Sequence, residues 1–304
     1  MNPTEKIIFV LCTGRSGSTS IASLLNKFPG ISCFHEPTPY LAYEVRAYLN
    51  GEIPRHKLVA LLKATRGSPE HGIIYSESNQ KLSYIVDVIQ EAFPGSVFLW
   101  LIRNGLDVVA SYYSRGAYRN DEMELFPNPS SWVKHRIRGY EVSEMSEEDW
   151  NSLDFFTRNC WYWSWTNKKI KNDLIRMKAK WLLVRLEDLD VMVEKIATFL
   201  GFSTVKLPQM PKLNVSIPGK IAKVNYWDRS QRKNFIRFCG ELMDELYPGW
   251  QDAFNLNRWQ IYRNEFLSLF SARYTFGRHV QKTLKRLPSF LSNSITKLSD
   301  GHRN

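Results

Sequence analysis

The chain has 304 residues, 43% hydrophobic, 13% aromatic and 23% charged, with a formal net charge of +11. That length suits one globular domain, or one domain with an appendage, and is ample for a large core. The composition excludes a disordered chain, a collagen-like repeat and a disulfide-stapled miniprotein, and no apolar run approaches the ~20 residues of a membrane-spanning helix.

The first third alternates short strands with helices, the pattern of an α/β sheet. Ile7–Leu11 reads as a strand, being too short for a signal-peptide core and running straight into glycine-rich loop chemistry. A helix through Ile21–Leu25 follows, then a strand, Ile31–Phe34, ending in His35-Glu36-Pro37. Helices are expected over Pro39–Leu49 and Arg55–Ala64, a short strand at Ile73–Ser76, and a helix over Lys81–Phe93. Val97–Ile102 is the plainest buried strand, six apolar residues without polar alternation between Pro94-Gly95 and Arg103-Asn104-Gly105. Leu106–Tyr113 reads as a helix and residues 116–150 as polar loop. A long aromatic helix is expected from Asp154 to Met177, a strand at Trp181–Val184, and a helix over Val191–Leu200. Residues 203–230 read as irregular, and a helix over Gln231–Leu246 ends at Tyr247-Pro248-Gly249-Trp250.

Charge is unevenly spread. Residues 255–304 hold nine Lys/Arg against Glu265 and Asp300, so the tail carries +7 of the +11 and residues 1–254 are only mildly basic. A basic, aromatic-rich extension is therefore expected at 255–304, suited to a polyanionic partner, an anionic membrane surface, or docking on the domain itself. The body calls for no nucleic-acid partner. Cys12, Cys33, Cys160 and Cys239 show no metal-ligand spacing and are expected to be reduced, mostly buried thiols, as in a cytoplasmic protein.

Two segments carry the chemistry. In the first, Cys12-Thr13-Gly14-Arg15-Ser16-Gly17-Ser18-Thr19-Ser20 joins a strand to a helix, so several backbone N–H groups and a helix N-terminus converge on one point. Arg15 adds a permanent charge in a planar fork suited to phosphate-like oxygens. The nucleotide-hydrolase loop would read G-x-x-x-x-G-K-S/T, but Ser18 stands where the lysine belongs and Cys12 where the first glycine belongs. A plain helix-capping turn is the simpler alternative. The second segment, Arg103-Asn104-Gly105-Leu106-Asp107 through Ser111, again follows a buried strand. Asn104 is placed to N-cap the helix, with Asp107 in the capping-box position. Arg103 falls at the carboxyl end of the strand, where ligands of open α/β sheets collect, and Ser111 is near enough to join it at a second anion.

Together the two segments resemble the sulfotransferase family, which uses 3′-phosphoadenosine 5′-phosphosulfate (PAPS) as sulfuryl donor. The first is similar to the family's 5′-phosphosulfate loop, P-K-S/T-G-S/T-S/T, and the second to its 3′-phosphate motif, R-N/D-P-x-D-x-x-x-S. The resemblance covers about residues 5–250. It implies a three-layer αβα fold with a central, mostly parallel sheet and a P-loop-like strand-loop-helix, making residues 1–254 the sulfotransferase domain. It further implies that Gly14, Arg15, Ser16, Gly17, Ser18, Thr19 and Ser20 hold the phosphosulfate, that Arg103 and Ser111 hold the 3′-phosphate, and that no metal is needed. Three departures stand out. Arg15 replaces the usual lysine, as in members acting on carbohydrates; Gly105 replaces the usual proline; and the R-K-G-x-x-G-D-W-K loop of phenol-sulfating members is missing. The acceptor suggested is a carbohydrate or glycolipid hydroxyl.

An acceptor hydroxyl needs a general base. Glu36, before Pro37, emerges at the same sheet edge as Arg15, and carbohydrate-type and bacterial sulfotransferases often carry such a base. His35 is the second candidate, its side chain sent the other way by strand alternation. The simpler alternative for Glu36 is a solvated loop carboxylate. Lys220 and Lys223 lie in a stretch similar to the basic loop the family closes over its donor, or in a plain solvated loop. His71 and His135 read as surface residues. Trp161 and Trp165 share a helix face and read as core, Arg185-Leu186-Glu187-Asp188 as structural, and Trp227 as packing on the sheet. A nucleotide or small-molecule kinase, or a non-catalytic binder of sulfated or phosphorylated ligands, is the competing assignment.

Overall fold

The structure is a computed structural model describing residues 6–67, 72–118, 136–202, 224 and 227–254. Five parallel strands form one sheet: β1 (Ile8–Cys12), β2 (Ile31–His35), β3 (Ile74–Ser78), β4 (Val97–Ile102) and β5 (Lys180–Arg185), in the order β2-β3-β1-β4-β5. Among the described residues the helices are α1 (Ser18–Leu25), α2 (Ala42–Leu49), α3 (Arg55–Thr65), α4 (Val86–Ala92), α5 (Gly105–Tyr113), α6 (Glu147–Ser152), α7 (Phe155–Arg176), α8 (Leu189–Leu200) and α9 (Arg229–Leu246).

Alternation along the strands sorts the core into two layers. Ile8, Val10 and Cys12, with Val97, Leu99 and Leu101, pack against α1 and α8. Phe9, Leu11, Phe98, Trp100 and Ile102 face the other way, into a core built from α2–α5, α7 and α9. All six residues of β4 are buried, which is why that strand lacks polar alternation. The expected three-layer α/β architecture is therefore present. After β3 the chain crosses to the far side of β1, which makes the carboxyl ends of β1 and β4 the switch point of the sheet, where ligands of open α/β sheets bind.

Three regions depart most from the sequence reading. The helix expected over Lys81–Phe93 is a 3₁₀ turn, Gln80–Tyr84, followed by α4, broken at Ile85 (φ −131°). Tertiary bonding outweighs helix propagation here: the Ser83 hydroxyl accepts from the Cys12 amide at 2.8 Å and lies 3.0 Å from its carbonyl, fastening the turn to the end of β1. The helix expected from Pro39 starts at Ala42, because Leu41 is left-handed (φ 55°). Within the stretch read as loop, residues 139–142 form a 3₁₀ turn and α6 is a short helix capped by the Ser146 hydroxyl, 3.0 Å from the Asp149 amide.

Trp161 and Trp165 are core, stacked 5.3 Å apart. Trp227 is buried, but not on the sheet: its ring meets Phe156 of α7 at 4.9 Å and Phe235 of α9 at 5.2 Å. All four cysteines are free and buried, and burial pushes the Cys12 and Cys33 thiols up to about 12. A thiol-specific disulfide reagent at about pH 8, where ordinary thiols are partly ionised, is expected to label none of them in the folded protein and all of them in denaturant. Rapid labelling of the native protein would contradict this packing.

Candidate active site

The first segment leaves β1 buried and turns back sharply. Thr13 and Ser16 are fully buried, their hydroxyls 2.5 Å apart, so they close the loop internally and do not face solvent. Arg15 between them is exposed and left-handed (φ 68°), and Gly17 (φ 91°) starts α1. Both glycines are required by neighbours. A Cβ on Gly14 would stand 2.0 Å from the Tyr112 hydroxyl and 2.2 Å from Gln80 Oε1, and one on Gly17 would stand 2.4 Å from Leu186. Ser18 and Thr19 lie at the open N-terminus of α1, whereas Ser20 is buried in the helix.

Behind the loop sits a cluster of phenols. Tyr84 donates to Tyr162 at 3.1 Å, and Tyr112 meets Tyr162 edge-on with ring centroids 5.4 Å apart. Burial pushes all three phenols up, Tyr84 and Tyr112 well above the usual range, so they remain protonated donors.

The second segment sits beside the first because β1 and β4 are paired, Cys12 opposite Leu101. Asn104 caps α5, its side chain accepting from the Leu106 amide at 2.9 Å, as the sequence suggests. Asp107 does not complete a capping box. The Asn104 amide bonds instead to Glu187 Oε1 at 2.8 Å, and Asp107 pairs with Arg103 at 3.2 Å. Glu187 Oε2 also accepts from the Tyr247 hydroxyl at 3.2 Å. Gly105 has a reason to lack a side chain: a Cβ there would press on the Trp163 ring at 3.0 Å. The Trp163 indole holds the end of β4 by donating to the Arg103 carbonyl at 3.1 Å.

The two segments form one basic patch. Arg15 Nε donates to Ser111 Oγ at 3.1 Å, and Arg103 donates to the Arg15 carbonyl at 3.2 Å. Ser111 therefore serves Arg15, where the sequence suggested Arg103. Partial burial, then repulsion from Arg115 and Arg103, lowers the Arg15 guanidinium below its ordinary value. Three cations held close without an equal number of carboxylates are a ready receptor for a polyanion.

Glu36 directly follows β2 in a left-handed conformation (φ 48°), its amide donating to the Ser78 carbonyl at 3.1 Å. Lys81 Nζ (2.8 Å) and Gln80 Nε2 (3.1 Å) both contact Oε1. His35 Nδ1 lies 3.1 Å from the same Ser78 carbonyl. A carbonyl only accepts, so Nδ1 carries the proton and Nε2 is the basic nitrogen of the neutral ring. The Tyr40 ring, 56% exposed, lies 5.9 Å from Lys81 Nζ.

Lys220, Lys223, His71, His135 and residues 255–304 lie outside the described residues. Among the described residues no group of three or more His, Cys, Asp or Glu could hold a metal ion, and no helix is long and apolar enough to cross a membrane. Sequence reasoning missed Arg115, Gln80, Lys81 and the tie made by Glu187. Arg115 carried a signal, standing four residues after Ser111. Lys81 was obscured by assigning it to a helix, and nothing local marks Glu187 as the partner of Asn104.

These features define an α/β protein with a glycine-containing strand-loop-helix, flanked by arginines, at the switch point of a parallel sheet. No protein-family model matches the sequence, and no curated protein matches it. Among solved structures, the chain is similar to a sulfotransferase from Alicyclobacillus acidocaldarius, 14% identical over 82% of this chain and 98% of that one, with a TM-score of 0.46.

Proposed function

We propose that this chain is a sulfotransferase that moves the sulfuryl group of PAPS to an acceptor hydroxyl, by in-line displacement. The observation that carries the reading is the basic patch of Arg15, Arg103 and Arg115, set beside a glycine loop that lacks the hydrolase lysine. Sulfuryl transfer resembles phosphoryl transfer in needing positioning and stabilisation of charge on the transferring and leaving oxygens. Arg15 would meet that charge with its fork, and the α1 N-terminus with Ser18 and Thr19 would orient the phosphosulfate. Arg103, with Arg115, would hold the 3′-phosphate, and Lys220 and Lys223 would close over the donor.

Glu36 is the preferred base. Among the described residues both its contacts fall on Oε1, which leaves Oε2 for a hydroxyl proton. His35 Nε2 is the second candidate. The exposed Tyr40 ring beside Lys81 offers a flat face for a sugar, which favours a carbohydrate or glycolipid acceptor. A cytoplasmic location belongs to the same reading, with residues 255–304 reaching a polyanionic acceptor or an anionic membrane.

Adenosine 3′,5′-bisphosphate at about a hundred times its Kd is expected to raise the unfolding midpoint by roughly 5–10 °C, and Mg-ATP to leave it unchanged. Stabilisation by Mg-ATP alone would return the protein to the kinases. An acceptor screen with labelled PAPS then identifies the hydroxyl.

A further inference from the structure

We infer that the Gln80–Lys81 turn is a positioning element that orients Glu36 and ties it to the donor loop; this rests on the reading of Glu36 as base. Three observations meet at this turn. Gln80 and Lys81 are consecutive, yet both side chains reach the same carboxylate oxygen, at 3.1 and 2.8 Å. Two donors on Oε1 fix the rotation of the carboxylate and direct Oε2 away from them. The pair is also shielded, with only 15% of the Lys81 side chain and 27% of the Glu36 side chain exposed, unlike the surface pairs elsewhere on the molecule.

Gln80 also has a second face. Its Oε1 accepts from the Tyr112 hydroxyl at 3.4 Å and lies 2.2 Å from where a Cβ on Gly14 would stand. One amide therefore touches the donor loop with its oxygen and the base with its nitrogen. The turn cannot drift, because the Asn79 side chain accepts from the Lys81 amide at 3.0 Å and Ser83 is bonded to the Cys12 backbone. Glu36 in turn holds a left-handed backbone that a non-glycine residue rarely adopts, so its place is maintained by these partners and by the Ser78 carbonyl.

The turn divides the work. Among the described residues the Lys81 side chain pairs with Glu36 and makes no hydrogen bond to the loop, so Lys81→Met is expected to lower PAPS turnover roughly 10-fold or more, measured with a mixed panel of sugar and phenol acceptors. Its affinity for adenosine 3′,5′-bisphosphate by calorimetry stays within about 2-fold of wild type. Lys81→Arg restores most of the rate. Gln80→Leu touches both and weakens both turnover and bisphosphate binding. Placing Lys81→Met on Glu36→Gln adds less than about 2-fold, since a residue acting through Glu36 has nothing left to act on. The inference is overturned if Lys81→Met turns over like wild type, or if its loss is fully additive with Glu36→Gln. Failure of the underlying reading looks different: wild type itself then neither binds adenosine 3′,5′-bisphosphate nor consumes PAPS. Unfolding midpoints of all variants separate a misfolded protein from a mispositioned base, and Lys81→Arg supplies the folded control.

Discussion

Replacing Arg15 with alanine is expected to cut PAPS turnover by about 10²–10³-fold, the size of effect seen when one preorganised donor to a developing charge is removed. Arg15 is exposed in a turn where the Thr13 and Ser16 hydroxyls are spent on each other. Its guanidinium bridges to Ser111, so the change also removes one of the bonds between the two segments, while the bond from Arg103 to the backbone carbonyl of residue 15 can remain. Stability should move little or upward. Partial burial and the repulsion of Arg115 and Arg103 work against this cation in the folded protein, and alanine removes both. Arg15→Lys keeps the charge and loses the fork, and an intermediate rate is expected. Initial rates, bisphosphate calorimetry and thermal midpoints check the set. An Arg15→Ala protein within a few-fold of wild type in turnover would remove Arg15 from the chemistry.

The largest effect on stability is expected at Arg66. Arg66 and Glu77 are both completely buried and 2.6 Å apart. Glu77 on β3 also accepts from the Tyr75 hydroxyl and the Asn79 amide, each at 2.9 Å, while Arg66 donates to the Pro39 carbonyl at 2.7 Å. Arg66→Met leaves the carboxylate without its counter-charge, a loss of about 3–5 kcal/mol, because one orphaned ion in a dry core costs far more than the pair contributes. Replacing both, Arg66→Met with Glu77→Leu, should recover much of that loss. Urea unfolding measures it; a change below about 1 kcal/mol for Arg66→Met would show that the pair is hydrated or dispensable. Arg66 also pins the segment that follows Glu36, so turnover should fall even in protein that remains folded.

The sheet was legible in the sequence chiefly through β1 and β4, whose residues are all apolar and which each run into a loop with distinctive chemistry, whereas β3 (Ile-Tyr-Ser-Glu-Ser) carries three polar residues. Val97–Ile102 was recognised to the residue, and the two anion segments were visible as strand-loop-helix patterns. What escaped depended on contacts between distant residues. The break at Ile85 follows from Ser83 bonding to Cys12, 71 positions away, and no local pattern encodes it. The capping of Asn104 by Glu187 spans 83 positions, and the local rule pointed to Asp107. The sequence assigned Arg15 and Ser111 to opposite ends of a donor, whereas strand pairing brings them into contact. Gly105 reads in the sequence only as a replacement of the usual proline; the structure gives it a reason, the Trp163 ring 3.0 Å from where a Cβ would stand.

The pairing of β1 with β4 over five consecutive residues has one more consequence. In the proposed reading the two cationic grips, Arg15 and Arg103, follow neighbouring strands of one ladder, at a spacing of about 4.8 Å from strand to strand. Such a fixture behaves like a calliper set to one opening. It would select anions by the span between their charged ends more than by total charge, and would discriminate between positional isomers of the same bisphosphate.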